Sequence, residues 1–345
     1  MKKHLLSIST MLFISSLLFG CSSNGDTSSS SQSTEPAADS ETLKIYTTLY
    51  PLEDFTKKIG GDLVEVENVI PPGADAHTFE PSTKDMVNIA EADAFIYSGV
   101  GFESFAETAQ ESLKNEDVTF INAGDGLELL EGHSEEEHAH DEAEHEEEHA
   151  HEETEHADEE AAHEEEHSHD HGDTDPHVWI DPVLSIQLAE NIKNALTELH
   201  PEGKETFEEN FESLKTQLNE LDESFSDVIS HASKKEILVS HAAYGYWESR
   251  YGIEQISVLG LSPTQEPSQK ELQTIIETAK EHDIKYIIFE TNVSSNVTDI
   301  VQSEIGAEAL TLNNLETLTD EDIKNNEDYF SIMKKNLETL EKALN

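Results

Sequence analysis

The chain has 345 residues, with 20 Lys and Arg against 75 Asp and Glu and a formal charge of −55. That charge excludes a nucleic-acid partner, because such binding neutralises phosphates with basic side chains, and it favours cations near the surface. A hydrophobic share of 35% is low for a globular protein, but two low-complexity stretches dilute it, and the remaining length suits two domains.

The N-terminus reads as a signal peptide over residues 1–20. The basic start Met1-Lys2-Lys3-His4 leads into the apolar stretch Leu5–Phe19, which is too short for a permanent membrane span. Leu18-Phe19-Gly20-Cys21 resembles a bacterial lipobox. Cys21 is the only cysteine, so an intrachain disulfide is impossible and Cys21 is the expected lipidation point. Residues 21–41, rich in Ser and Thr, read as a flexible tether. The expected location is the extracytoplasmic face of the cell membrane, lipid-anchored.

An α/β pattern follows. Strands are predicted at Leu43–Tyr50, Leu63–Ile70, Ala94–Tyr97 and Val118–Asn122, with helices at Leu52–Ile59, from Ser82, and at Phe102–Leu113. Alternating strands and helices predict a parallel sheet with crossover helices. This first lobe is expected over 42–182.

Within it lies a tract of different character. Residues 133–173 hold 11 of the 18 His and 20 acidic residues, with no Lys or Arg. Without apolar periodicity the tract is expected to be disordered, and its imidazoles and carboxylates are loose ligands for a borderline metal. His145-Glu146-Glu147-Glu148-His149 and His163-Glu164-Glu165-Glu166-His167 match a metalloprotease pattern, but that chemistry needs a helix packed in a core. The tract ends at Asp175-Pro176-His177-Val178-Trp179-Ile180-Asp181-Pro182. There two prolines bracket a His beside a Trp, which suggests a fixed backbone.

Residues 183–234 read as helix. Val183–Leu199 is one segment, interrupted by Pro201 and Gly203. Then Phe207, Phe211, Leu214, Leu218, Leu221, Phe225 and Val228 repeat at spacings of four and three. This stripe predicts a long helix bridging two domains. The second lobe, 235–345, has predicted strands at Glu236–Ser240, Ile253–Val258, Tyr286–Phe289 and Ala309–Leu312. Its predicted helices are Tyr244–Tyr251, Lys270–His282, Val297–Ile305 and Tyr329–Leu344. The fold class is therefore α/β: two parallel-sheet lobes joined by a long helix, with a cleft between them.

Ligands of open α/β sheets sit at the carboxyl ends of strands. His77 follows the second strand, His177 follows the acidic tract, His241 ends the first strand of the second lobe, and Glu290 ends a later one. Three imidazoles and a carboxylate suit tetrahedral zinc. Taken singly, each also reads as an ordinary surface, capping or core residue. His4, His200, His231 and His282 carry no such signal.

Several phrases together resemble one family. They are Tyr50-Pro51, Pro71 to Pro81 around His77, Asp175-Pro176-His177-Val178-Trp179, Ser240-His241-Ala242-Ala243-Tyr244-Gly245-Tyr246, Gly260-Leu261-Ser262-Pro263 with Glu266-Pro267-Ser268, and Phe289-Glu290. Over residues 43–344, in order, they resemble the zinc-binding lipoproteins of bacterial zinc ABC importers. The resemblance implies two lobes on a rigid backbone helix, a His- and acid-rich loop before the second ligand, and metal ligation by His77, His177, His241 and Glu290. It also implies capture of Zn2+ as a transported ligand and delivery to an ABC importer permease by a monomer that is not an enzyme. Manganese relatives carry Glu at the third position, so His241 favours zinc. The alternatives are the same role for manganese or iron, or an adhesin.

Overall fold

The computed structural model describes residues 42–131, 174–293 and 295–345. The signal peptide, Cys21, the tether and the 133–173 tract lie outside the described residues.

Two four-stranded parallel sheets organise the chain. In the first, β1 (Leu43–Thr47), β2 (Val64–Asn68), β3 (Ala94–Tyr97) and β4 (Thr119–Asn122) lie in the order β2-β1-β3-β4. In the second, β5 (Glu236–Val239), β6 (Glu254–Ser257), β7 (Tyr286–Glu290) and β8 (Glu308–Leu312) lie in the order β6-β5-β7-β8. The two lobes thus repeat one topology. Their central strands are buried and apolar, with Ile45, Phe95, Ile96, Leu238, Val239 and Ile287 fully enclosed, as strands covered on both faces must be.

The helices of the first lobe are α1 (Tyr50–Gly60), α2 (Thr83–Ala90) and α3 (Ser104–Ser112). α2 opens on a reciprocal cap between Ser82 and Asp85, which satisfies backbone donors at both positions. α4 (Pro182–Leu199) begins at Asp181, whose side chain accepts from Val183 N and Leu184 N. A tight turn at Pro201–Gly203 then leads into α5 (Lys204–His231), which packs against α4. A side chain at Gly203 would be crowded there: a Cβ would lie 2.7 Å from the Phe207 ring and 2.8 Å from Leu63.

α5 is the bridging helix. Its 28 residues span about 42 Å at ~1.5 Å per residue. Its buried stripe is Phe207, Phe211, Leu214, Leu218, Leu221, Phe225 and Ile229. The last turn therefore buries Ile229 and leaves the expected Val228 only half-buried, because the helix continues its step of four from Phe225. Early in α5, Asn210 Nδ2 donates to Ile59 O of α1 (3.0 Å). Late in α5, Phe225 packs on the rings of Trp247 (5.2 Å) and Tyr251 (5.6 Å).

The second lobe carries α6 (Gly245–Tyr251), α7 (Gln269–Glu281), α8 (Asn296–Ile305), α9 (Asp320–Asn325) and α10 (Tyr329–Ala343). One apolar core runs through both lobes. Phe55 of α1 meets Tyr329 of α10 edge-on at 4.9 Å within it. A smaller cluster including Leu238, Val258, Ile275, Ile287 and Val301 belongs to the second lobe alone.

Candidate metal centre

The carboxyl ends of the strands converge, and three imidazoles meet there. His77 lies in the turn after β2, where Asp75 Oδ1 accepts its backbone N–H (2.9 Å) and Asp75 Oδ2 accepts the Thr78 hydroxyl (3.1 Å). His177 sits between Pro176 and a single 3₁₀ turn, Val178–Ile180. His241 follows β5. His177 and His241 are fully buried, whereas the His77 side chain keeps 10% of its exposure.

The fourth group is Glu316. Its carboxylate and the three imidazoles each offer one ligand atom, all within 4.8 Å of one another. Glu316 Oε1 lies 3.2 Å from His77 Nε2, 3.8 Å from His177 Nε2 and 4.0 Å from His241 Nε2, and the Nε2 atoms of His177 and His241 are 3.4 Å apart. Zinc bonds of ~2.0–2.1 Å place tetrahedral ligands roughly 3.3–3.5 Å apart. The cluster is therefore already near the size that such an ion requires. His77 Nε2 is buried without a well-aligned hydrogen bond, its polar neighbour being Glu316 Oε1 at 3.2 Å, and a cation between them would satisfy both atoms.

Glu290, the carboxylate expected from the sequence, stands behind the ring of His241 rather than beside its Nε2. Glu290 Oε1 is 2.7 Å from His241 Nδ1 and accepts the Ser240 hydroxyl (3.1 Å), and Oε2 accepts from Asn314 Nδ2 (2.9 Å). Both oxygens are thus occupied away from the cluster. Asp175 plays the same part for His177, with Oδ1 2.8 Å from Nδ1. A carboxylate at Nδ1 holds the proton there, turns the lone pair of Nε2 towards the centre and strengthens it as a donor.

Asparagines hold Glu316 in place. Asn314 Nδ2 donates to Glu316 Oε1 (2.8 Å) as well as to Glu290, and Asn336 brackets Asn313 through both of its backbone polar groups. Between them, buried Leu315 adopts φ +65°, a left-handed conformation costing about 1–2 kcal/mol for an L-residue. Strain of this kind gathers at functional sites, where surrounding bonds enforce it. The segment also reaches the first lobe: Tyr50 N donates to Glu316 O (3.1 Å), Gly73 N to Leu318 O (2.9 Å) and the Thr317 hydroxyl to Ala74 O (3.2 Å).

Aromatic rings close the site. Phe102 packs on His77 (4.5 Å) and edge-on to Trp179 (5.2 Å), and Trp179 adjoins His177 (5.4 Å). Burial in this shell lowers the pKa of His177, offset in part by Asp175 and reinforced by the neighbouring imidazoles. Burial acts in the same sense on His241, but Glu290, then Glu316 and Asp175, outweigh it and raise its pKa. Burial alone would raise Glu316, and the three imidazoles, His77 foremost, pull it below the ordinary range.

Two parallel-sheet lobes sharing a buried cluster of three imidazoles and one carboxylate define a two-lobed metal-binding protein. The chain belongs to the ZnuA family, described as "Zinc-uptake complex component A periplasmic", which residues 45–343 match. It is 39% identical over 314 residues to the high-affinity zinc uptake system protein ZnuA of Bacillus subtilis, covering 90% of this chain and 91% of that one. It is 39% identical over 298 residues to zinc-binding protein AdcA of Streptococcus pyogenes, covering 86% of this chain but only 55% of that relative. The chain thus spans about half the length of the streptococcal relatives it matches. The crystal structure of the Zn(II)-bound ZnuA-like domain of Streptococcus pneumoniae AdcA superimposes with a TM-score of 0.68 at 33% identity, covering 88% of this chain and 99% of that domain.

Proposed function

We propose that the chain captures Zn2+ with Nε2 of His77, His177 and His241 and a carboxylate oxygen of Glu316, and delivers it as cargo to the permease of an ABC importer. The observation that carries the reading is the set of four converging ligand atoms, two of whose imidazoles are oriented by a carboxylate at Nδ1. Three imidazoles and one carboxylate favour zinc over manganese, which prefers oxygen ligands. Four protein ligands leave no open position for a reacting water, so the reading is binding and not catalysis. The names of the relatives support the same cargo. Cys21 carries the lipid that anchors the chain outside the membrane, and the 133–173 tract raises the local zinc concentration.

Bound metal and zinc affinity of the full chain, measured beside His241→Ala, test the reading. One tightly bound zinc that is lost or greatly weakened in the variant supports it. Manganese outcompeting zinc at equal concentration would replace the cargo, and equal zinc binding by both proteins would remove the site.

A further inference from the structure

His177 belongs to the first lobe by sequence, yet much of what holds its segment comes from the second. α6 presents three donors to it, two of them four and three residues before the third and so on the same side of the helix. Tyr246 Oη donates to Asp175 O (2.7 Å), Trp247 Nε1 to Ile180 O (2.8 Å), and Arg250 Nε to Asp181 Oδ2 (2.5 Å). Two further bonds reinforce them: Trp179 Nε1 donates to Asn314 O (2.8 Å) and Tyr329 Oη to Trp179 O (2.8 Å). α6 packs closely enough that a Cβ on Gly245 would lie 2.5 Å from Asp175 Oδ2.

The ionic bond in this set is singular. Arg250 is the chain's only arginine, and it is spent on a carboxylate with 2% exposure. Asp181 is the last residue of the turn that His177 starts: Ile180 N donates to His177 O (3.4 Å) and Asp181 N to Val178 O (3.2 Å). Its other oxygen, Oδ1, caps α4. A buried carboxylate stripped of its counter-charge must take a proton or reach for water. Either response would loosen the tie between α6 and the end of the turn on which His177 is mounted.

We infer that Arg250 is a positioning residue for metal capture, acting through Asp181 to fix the turn that aims His177 Nε2 at the centre. The inference rests on the zinc reading above. It makes the functional frame of the site cross the sequence boundary between lobes, with His177 and His241 both mounted on the body that contains α6. The guanidinium supplies a directed Nε–H donor and a permanent charge, and a lysine ammonium supplies the charge and a donor in a less fixed geometry.

The test compares the full chain, purified in detergent, with Arg250→Met, Arg250→Lys and Trp247→Phe. Lys58→Met serves as a control, since Lys58 bridges Asp54 and Asp328 between α1 and the start of α10 rather than bonding the His177 turn itself. Zinc affinity is read by chelator competition, site geometry by the visible spectrum of the Co(II)-loaded protein, and stability by thermal melting without metal. Arg250→Met is expected to bind zinc on the order of tenfold more weakly with an altered Co(II) spectrum. Arg250→Lys should regain most of the affinity, and Lys58→Met should melt earlier with zinc affinity unchanged. Arg250→Met with a lower melting temperature but parental affinity and spectrum would overturn the inference. If Arg250→Met does not fold, Trp247→Phe decides, since it removes the bond to Ile180 while keeping an aromatic ring against Phe225: weakened zinc with an altered Co(II) spectrum supports the frame, and unchanged affinity overturns it. A parent chain that binds no zinc would instead overturn the reading beneath it.

Discussion

Glu290 and Glu316 are joined through one amide: Asn314 Nδ2 donates to Glu290 Oε2 at 2.9 Å and to Glu316 Oε1 at 2.8 Å. One carboxylate faces the cluster and the other faces the back of His241. Their roles therefore separate by mutation. Glu316→Ala removes a proposed ligand and should lower both zinc affinity and the four-coordinate character of the Co(II) spectrum. Glu290→Gln leaves every ligand atom in place and should cost 10–100-fold in affinity through loss of orientation at His241. Affinity retained in Glu316→Ala but abolished in Glu290→Ala would reverse the assignment.

Protons compete with zinc for the same nitrogens, so affinity should fall as the solution is acidified. The sign follows from His241. Its pKa is raised by Glu290 and other carboxylates against the opposing effect of burial, so the metal-free protein takes up a proton there at a higher pH than an ordinary imidazole would. Zinc binding must then expel that proton, and the apparent affinity should decline steadily from pH 7.5 to pH 5.5. A pH-independent dissociation constant across that range would place the metal elsewhere.

Deleting 133–173 should remove weak zinc equivalents and leave one tight equivalent, since Glu131 and Thr174 already pair across the base of the insertion. Isothermal titration of the deleted and full chains checks this. Loss of the tight equivalent would mean that the tract contributes to the central site.

Phe225 is fully buried in the late turns of α5, against Trp247 and Tyr251. Truncating such a ring costs ~3–5 kcal/mol. Phe225→Ala should therefore lower the melting temperature markedly. It should also weaken zinc binding, because Trp247 is a strut of the His177 turn. Denaturation followed by circular dichroism gives the first effect and chelator competition the second.

Much of the fold was legible in the sequence because its signals are local and repeated. β-branched runs end at Gly and Pro, and the α5 stripe steps by three and four over seven apolar residues, with the last position displaced by one to Ile229. The three histidines of the cluster were legible for a different reason: His77 lies in a Pro- and Gly-rich turn after a strand, His177 stands between two prolines, and His241 closely follows a strand. Glu316 was not. It lies four residues beyond the end of β8, in a stretch with neither apolar period nor Gly-Pro punctuation. Its position depends on Asn336 of α10 and on a left-handed Leu315, relationships set by distant packing. The one available signal was Asn313-Asn314 after a strand, side chains suited to tying down local backbone. α9 escaped for a related reason, being only six residues long with no buried residue. Glu290 was legible as a carboxylate at a strand end, a place that suits a ligand and the partner of a ligand equally well.

The unequal exposure of the four groups has a kinetic consequence. His177 and His241 are sealed inside, Glu316 is nearly so, and the His77 side chain keeps the largest exposure of the four. On the proposed ligand set, a competing donor arriving from outside would reach His77 before the other three groups. Metal exchange should then be associative, with a rate that rises with the concentration of the incoming ligand. An acceptor would take the metal by offering a replacement donor at that one corner, without waiting for spontaneous dissociation.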